Sequence, residues 1–258
     1  MNLSPIVFAG AGPGDPELVT VKTANHLKNS DLVLYTGSLV PEAVLCYCPA
    51  HTQKTSSASL SLPEILNLMV SAYFKGSKVV RLHTGDPSLY GAILEQMQIL
   101  DEKEIPYSVI PGVTAAFAAA AGLQMEFTIP EKTQTLILTR MAGRTPVPEQ
   151  ERMEKLAAIG ASMAIYLSAG LVEQLLPILI EHYGSNSLAA VVFKAGHPEE
   201  KQLIAPLGEL GDAMMNAKIT RQAVILVGPG VNTKFQKEKF AESKLYAPEF
   251  SHGYRTGD

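Results

Sequence analysis

The sequence predicts an α/β fold made of two α/β domains with mostly parallel, mixed sheets. Three observations carry that prediction. A short β-branched run, a Gly/Pro turn and a helical stretch recur in that order through the 258-residue chain as far as Gly230. The strand candidates are nearly continuous apolar runs, as expected of strands covered on both faces. The alternation breaks once, in the polar and Pro-containing stretch 124–132, and then begins afresh. The expected organisation is therefore an N-terminal domain over 1–123, a linker over 124–132 and a C-terminal domain over 133–231. A polar tail over 232–258, partly disordered or packed over a surface, completes the chain.

The strand candidates are residues 6–9, 32–35, 78–82 and 108–110 in the first half, and 136–139, 164–167, 189–193 and 224–227 in the second. Each is rich in Val, Ile, Leu or Ala and is followed by turn residues. The clearest helical stripe is Leu62, Ile65, Leu66, Met69, Val70 and Tyr73, at three- and four-residue spacing, and it stops before Gly76. An Ala-rich helix over 113–122 closes the first half. No period of about 20–50 residues repeats, which argues against a solenoid.

With 47% hydrophobic and 18% charged residues the chain can bury a sizeable core. Lys and Arg number 21 against 25 Asp and Glu, a formal net charge of -4. A nonspecific polyanion binder needs a basic surface, so nucleic acid is not expected as a partner, although a local basic pocket stays open. Cys46 and Cys48 are too few for a disulfide framework or a four-thiolate zinc site, and read as two small residues near an element end. The N-terminus lacks the pattern of a secretory signal, and no segment approaches about 18 uninterrupted apolar residues. A soluble cytoplasmic protein without a membrane partner is expected.

The strand ends share a feature. Nearly every candidate strand runs into a small-residue turn: Gly10-Ala11-Gly12-Pro13-Gly14-Asp15, Thr84-Gly85-Asp86-Pro87, Pro111-Gly112-Val113-Thr114, Ser168-Ala169-Gly170, Lys194-Ala195-Gly196-His197-Pro198 and Gly228-Pro229-Gly230. Glycine at the carboxyl end of a strand lets backbone approach a ligand, although such loops also use Gly and Pro simply to turn. A dinucleotide fingerprint fits poorly, because its third glycine would fall at Asp15 and no acidic residue ends the strand at 32–35. No Gly-Lys-Ser/Thr follows to make a phosphate loop, and no Gly-x-Ser-x-Gly elbow supports Ser38 or Ser168 as a nucleophile. The six histidines have no metal-ligand spacing, so no metal is expected. His83 is open to a structural reading or a ligand contact, whereas His26 reads as solvated on the first helix. The run Asp101-Glu102-Lys103-Glu104 reads as the solvated end of a helix. Glycine-lined backbone suits chemistry whose reactive power sits in a cofactor, such as methyl transfer from S-adenosylmethionine, with Asp86 as a carboxylate able to help retain its cation.

In this order the motifs resemble the tetrapyrrole methylase family of S-adenosylmethionine-dependent methyltransferases. The resemblance runs from Ile6 to about Gly230. It rests on Gly10-Ala11-Gly12-Pro13-Gly14-Asp15 with Leu18-Val19-Thr20, on His83-Thr84-Gly85-Asp86-Pro87-Ser88-Leu89-Tyr90-Gly91, on Pro111-Gly112-Val113-Thr114-Ala115 and on Leu226-Val227-Gly228. A closer match lies in Thr36-Gly37-Ser38-Leu39-Val40-Pro41-Glu42, in Leu138-Thr139-Arg140 with Gly143-Arg144, and in Phe193-Lys194-Ala195 with Pro198. It implies C-methylation of precorrin-4, or of its cobalt complex, at ring carbon 11 in cobalamin synthesis. The alternative is a sibling that acts on uroporphyrinogen or another precorrin position. A ligand-binding module without turnover would need the same turns but would be indifferent to a sulfonium.

The resemblance further implies two α/β domains with a ligand cleft between them, a homodimer, and S-adenosylhomocysteine as the second product. Carried over by motif, the cofactor contacts fall on Gly85, Asp86, Leu89, Thr114 and Ala115, then on Leu167, Phe193, Lys194, Ala195, Ala223 and Val224. Pro13, Gly14 and Asp15 fall on the tetrapyrrole side. The family often has Trp or Thr where this chain has Gly196-His197. Precorrins are polycarboxylates, so their pocket needs donors for carboxylates. Arg140 and Arg144 are the first candidates, with Lys194 and Lys22 behind them and a solvated surface role as the plain alternative for each. The nucleophile would be a ring carbon of the substrate. No sequence feature identifies a catalytic base.

Overall fold

The computed structural model describes residues 3–37, 39–231 and 241–256; Ser38 and most of the early tail, 232–240, lie outside the described residues. The chain divides into two compact units, Met1–Ala118 with Lys194–Glu199, and Ala119–Phe193 with Glu200–Asp258.

The first unit is a five-stranded, fully parallel sheet. Its strands are β1 (Ile6–Gly10), β2 (Leu32–Tyr35), β3 (Gln53–Ser56), β4 (Val79–His83) and β5 (Tyr107–Ile110), in the order β3-β2-β4-β1-β5. Alternate side chains feed two separate apolar layers, as the two-residue period of a strand requires. Val7, Ala9, Val33, Val80 and Leu82 pack with Ala24 and Leu27 of α1 (Val21–Lys28). Ile6, Phe8, Leu32, Leu34 and Val79 pack with Ile65, Leu66 and Met69 of α2 (Leu62–Phe74) and with Ile93 and Leu100 of α3 (Ile93–Glu102). The stripe at 62–73 is thus the buried face of α2. That helix starts in a Ser61/Glu64 capping box, in which the Ser61 backbone N–H donates to Glu64 Oε2 at 2.8 Å, and it gives way at Gly76 (φ +83°). The chain leaves β1 toward β2 over one face and leaves β4 toward β5 over the other. Such a reversal opens a ligand crevice at the carboxyl ends of the two strands between which it occurs, here β1 and β4.

The second unit has strands β6 (Leu136–Arg140), β7 (Ser162–Tyr166), β8 (Leu188–Phe193), β9 (Lys201–Pro206) and β10 (Ala223–Val227), ordered β6-β7-β10-β8-β9. Only the β6/β7 pair is parallel. The sheets are therefore mixed over the whole chain, parallel in the first unit and mainly antiparallel in the second. The cause is β9, which the apolar pattern does not announce; it follows β8 through a short turn, and two strands so joined must run antiparallel. One apolar layer joins this sheet to α5 (Met153–Ala157), α6 (Val172–Tyr183) and α7 (Leu210–Asn216), through Met163, Ile165, Val191 and Ile225 on the strands and Met153, Leu175, Leu179, Leu210 and Met214 on the helices.

The division between units falls inside α4 (Ala115–Leu123), ahead of the stretch the sequence offers as a linker. Residues 124–132 are instead built into the second unit. Phe127 and Ile129 are buried, the Ser162 hydroxyl donates to the Phe127 carbonyl at 2.6 Å, and a Cβ on Gly230 would stand 2.3 Å from the Glu126 oxygen. In the described part of the tail, Arg255 Nη2 donates to the carbonyls of Leu245, Ala247 and Phe250, gathering it into a turn.

Candidate active site

At the carboxyl ends of β1, β4 and β5 three backbones meet at distances only glycine permits. A Cβ on Gly112 would lie 2.1 Å from the Gly85 oxygen and 2.8 Å from Gly10 Cα, and one on Gly10 would lie 2.5 Å from Gly112 Cα. Gly12 and Gly85 form an antiparallel bridge, with the Gly85 N–H donating to the Gly12 carbonyl at 2.8 Å. Asp86 locks the junction. Its Oδ2 accepts the Gly112 N–H and its Oδ1 the Ser88 N–H, each at 2.8 Å. Gly85 itself has φ +64°, and a Cβ there would face Thr114 at 3.6 Å. The structure thus brings Gly85, Asp86 and Thr114 together, with Leu89 in the same turn through its N–H to the Asp86 carbonyl at 3.2 Å and Ala115 opening α4 beside Thr114. Gly10 and Gly112 thus pack backbone against backbone with each other and with Gly85, leaving no room for a side chain on either, the close approach at strand carboxyl ends that ligand-binding turns of parallel sheets require.

The first glycine loop meets the turn after β8, which belongs to the same unit. A Cβ on Gly14 would come within 2.3 Å of the His197 ring, and one on Gly196 within 2.8 Å of Pro13 Cγ. Pro13 and Gly14 are accordingly buried, while Asp15 caps the short 3-10 helix Pro16–Leu18 by accepting the Glu17 N–H at 2.8 Å. Burial pushes the His197 imidazole below the ordinary histidine range and Lys194 pushes the same way; Glu199 and a hydrogen bond with the Pro13 backbone oppose them. Lys194 pairs with Glu199 at 3.1 Å, and Ala195 is buried. Lys22 stands exposed on α1.

Beneath the Gly85 turn lie two buried polar groups, of which the sequence pattern singles out only His83. Arg81 and His83 project from β4 and are 4% and 1% exposed. Neither ring nitrogen of His83 has a hydrogen-bond partner among the described residues. Burial, reinforced by the Arg81 charge, pushes this imidazole down to about 3 from 6.5, so it is neutral at working pH. The unfolded chain binds a proton there below about 6.5 that the native ring refuses, so this group erodes stability as pH falls from about 6.5 to 3 and leaves it flat above. His83→Met is expected to raise the melting midpoint at neutral pH by removing two unsatisfied nitrogens, at about 1–3 kcal/mol in all. It should also flatten that acid-side slope relative to wild type; parallel melting curves across the interval would refute the assignment.

In the second unit, Arg140 ends β6 opposite Tyr166 of β7, and Leu167 follows it in a left-handed conformation (φ 54°), 72% exposed. Ala223 opens β10 opposite Phe193 at the end of β8. Leu167, Phe193, Ala223 and Arg140 therefore gather at one end of this sheet. Val224 follows Ala223 in β10 and is 3% exposed. Arg140 turns its guanidinium onto its own loop: Nη1 donates to Met141 and Thr145 carbonyls at 3.1 Å each, and Nη2 to Pro146 at 2.8 Å. Arg144 is exposed on the same loop. Ser168 is fully buried and turns inward, donating to the Tyr166 carbonyl at 2.7 Å.

Comparison with known proteins adds the chemistry. The family model of the Tetrapyrrole (Corrin/Porphyrin) Methylases matches residues 5–211. A cobalt-precorrin-4 C(11)-methyltransferase of Methanocaldococcus jannaschii is 42% identical over 98% of this chain and 97% of its own. A precorrin-4 C(11)-methyltransferase of Pseudomonas aeruginosa is 43% identical over 98% of this chain and 99% of its own. Among solved structures, a cobalt precorrin-4 methyltransferase of cobalamin biosynthesis superposes with a TM-score of 0.85 at 41% identity, covering 87% of this chain and 94% of that one. A uroporphyrin-III C-methyltransferase from Thermus thermophilus complexed with S-adenyl homocysteine superposes with a TM-score of 0.73 at 25% identity, covering 88% and 98%. With its motifs, both sheets and nearly its full length matched in this way, the chain belongs to the tetrapyrrole methylase family.

Proposed function

We propose that this chain is an S-adenosylmethionine-dependent methyltransferase acting on precorrin-4, or its cobalt complex, at ring carbon 11 in cobalamin biosynthesis. The observation that carries this reading is the identity of 42–43% to enzymes of that activity over 98% of the chain, above the 25% shared with a uroporphyrin-III methyltransferase of the same fold. When bound, S-adenosylmethionine supplies a methyl group already activated by its sulfonium, so the chain has to provide alignment and a dry recess rather than a nucleophile. Gly85, Asp86, Leu89, Thr114 and Ala115 would hold the donor in the first unit through the glycine junction, with Lys194 and Ala195. In the second unit Leu167, Phe193, Ala223 and Val224 carry the same assignment.

Pro13, Gly14 and Asp15 would border the tetrapyrrole, and Arg144 would pair with one of its carboxylates. Arg140 acts on the substrate through the loop it orders, since its guanidinium already serves three carbonyls of that loop. Arg144→Ala is expected to raise the KM for the tetrapyrrole about tenfold, the value of one charge-assisted hydrogen bond, with melting unchanged. Arg140→Ala should raise the same KM and also lower the melting midpoint, while the dissociation constant of S-adenosylhomocysteine stays put in both. An unchanged KM in either variant would refute its role.

The decisive experiment is mass spectrometry of the enzyme incubated with S-adenosylmethionine and, separately, precorrin-4 and cobalt-precorrin-4. A gain of one methyl on either acceptor, located at carbon 11 by isotope labelling, is the expected result. No gain on either would overturn the proposal. The family resemblance also supports a cytoplasmic homodimer, which sedimentation equilibrium would test. No helix among the described residues is long and apolar enough to cross a membrane.

A further inference from the structure

The donor turn is an unusual piece of backbone. Between β4 and α3 it carries Gly85 (φ 64°), Tyr90 (φ 56°) and Ala92 (φ 48°) in left-handed conformations, and a Cβ on Gly91 would fall 2.1 Å from the Pro87 oxygen. Tyr90 and Ala92 are not glycines, and such residues persist in that region only where their surroundings over-determine them. Asp86 secures the entry of the turn. The exit is secured from below by a buried relay. Arg81 Nε donates to Gln96 Oε1 at 3.3 Å, and Gln96 Nε2 donates to the Ala92 carbonyl at 3.0 Å. Arg81 Nη1 ties the same group to the sheet, donating to the Leu34 carbonyl at 3.2 Å and the Ser57 hydroxyl at 2.8 Å.

This relay is an expensive object to place in an apolar layer. Arg81, Gln96 and Ser57 are 4%, 3% and 7% exposed and lie among Phe8, Leu34, Ile65, Ile93 and other apolar side chains of the same layer. No carboxylate among the described residues pairs with the guanidinium, and burial alone moves its pKa, down to about 10, so it stays charged at working pH. Neutral acceptors compensate a buried charge incompletely, and apolar residues of similar volume would be as stable or more so. Fold stability therefore does not account for it.

We infer that Arg81 and Gln96 are positioning residues for the methyl donor, a relay that fixes the exit of the Gly85–Ala92 turn without touching the ligand. The inference rests on the proposed donor site and names two residues beyond it. Its test uses Arg81→Met/Gln96→Met, which replaces both partners with flexible apolar side chains and so spares the fold. S-adenosylhomocysteine binding is read by calorimetry well below the melting midpoint, alongside thermal melting and the tetrapyrrole KM. The expected result is a melting midpoint equal to or above wild type, a dissociation constant weakened at least about tenfold, and a tetrapyrrole KM within about twofold. A folded double variant that binds S-adenosylhomocysteine like wild type overturns the inference while leaving the donor site intact. If the double variant does not fold, Gln96→Met alone decides on the same readouts, and failure of both to fold overturns the inference by making the relay a requirement of the fold. Wild-type protein that binds neither S-adenosylmethionine nor S-adenosylhomocysteine overturns the donor reading itself.

Discussion

Gly112→Ala is expected to abolish donor binding and to lower the stability of the first unit by about 3 kcal/mol or more. The new methyl would stand 2.1 Å from the Gly85 oxygen, 2.7–3.2 Å being the range of a hydrogen-bonded N···O pair rather than of a carbon. A flexible side chain could move aside, but every atom in the way is backbone: Gly85 O, Gly85 C and Gly10 Cα. To admit the methyl, β1, β4 and β5 must part at their carboxyl ends, which breaks the Gly12/Gly85 bridge and pulls Gly112 from Asp86. The cause is steric rather than conformational, because Gly112 is not among the glycines with positive φ. Gly76→Ala separates the two effects. That glycine has φ +83° and nothing within 4 Å of where the added methyl would stand, so the substitution should cost about 1 kcal/mol of backbone strain and leave the donor affinity untouched. Melting curves and calorimetry with S-adenosylhomocysteine on both variants check the pair; wild-type affinity in Gly112→Ala would show that the junction is not the donor site.

That junction was legible as composition and not as geometry. The sequence shows Gly10, Gly85 and Gly112 as turn residues after three apolar strands, and apolar strands buried on both faces are the easiest signal to read. That the three glycines touch one another depends on the β4-β1-β5 order, which no local pattern encodes. The two unforeseen strands, β3 and β9, are sheet edges. Gln53, Lys54, Lys201 and Gln202 are exposed on them, so a full continuous or alternating apolar pattern is missing; β9 sends only Leu203 and Ala205 to the core. The stretch 124–132 reads as a linker because most of its residues are polar, yet Phe127 and Ile129 anchor it in the second unit. Arg81 was invisible for a related reason. A single arginine in a strand ordinarily marks a solvated position, and its burial follows only from the neutral acceptors that β2, Ser57 and α3 present in three dimensions. Arg140 was legible as a cation at a strand end, but its engagement by three carbonyls of its own loop is visible only in three dimensions.

Asp86→Asn is expected to weaken S-adenosylmethionine and S-adenosylhomocysteine by the same factor, about tenfold or more, and to cost about 1–3 kcal/mol of stability. The equality is the informative part. As a carboxylate, Asp86 accepts two backbone N–H groups, Gly112 on one oxygen and Ser88 on the other. The amide of Asn offers one oxygen and one NH2, so whichever way it turns, one of the two backbone N–H groups faces another donor and loses its partner. The turn then relaxes at its entry, and any ligand that reads its backbone suffers alike. If the carboxylate instead held the sulfonium by charge, the variant would weaken the cationic donor far more than its neutral product, because only the former carries the charge being compensated. The hydrogen-bond geometry favours the first outcome: both oxygens are already engaged with backbone, each at 2.8 Å, and release of either would unlock the glycine junction. Paired titrations of the two ligands into wild type and Asp86→Asn distinguish the roles, and a loss confined to S-adenosylmethionine would move Asp86 from holding the turn to holding the cation.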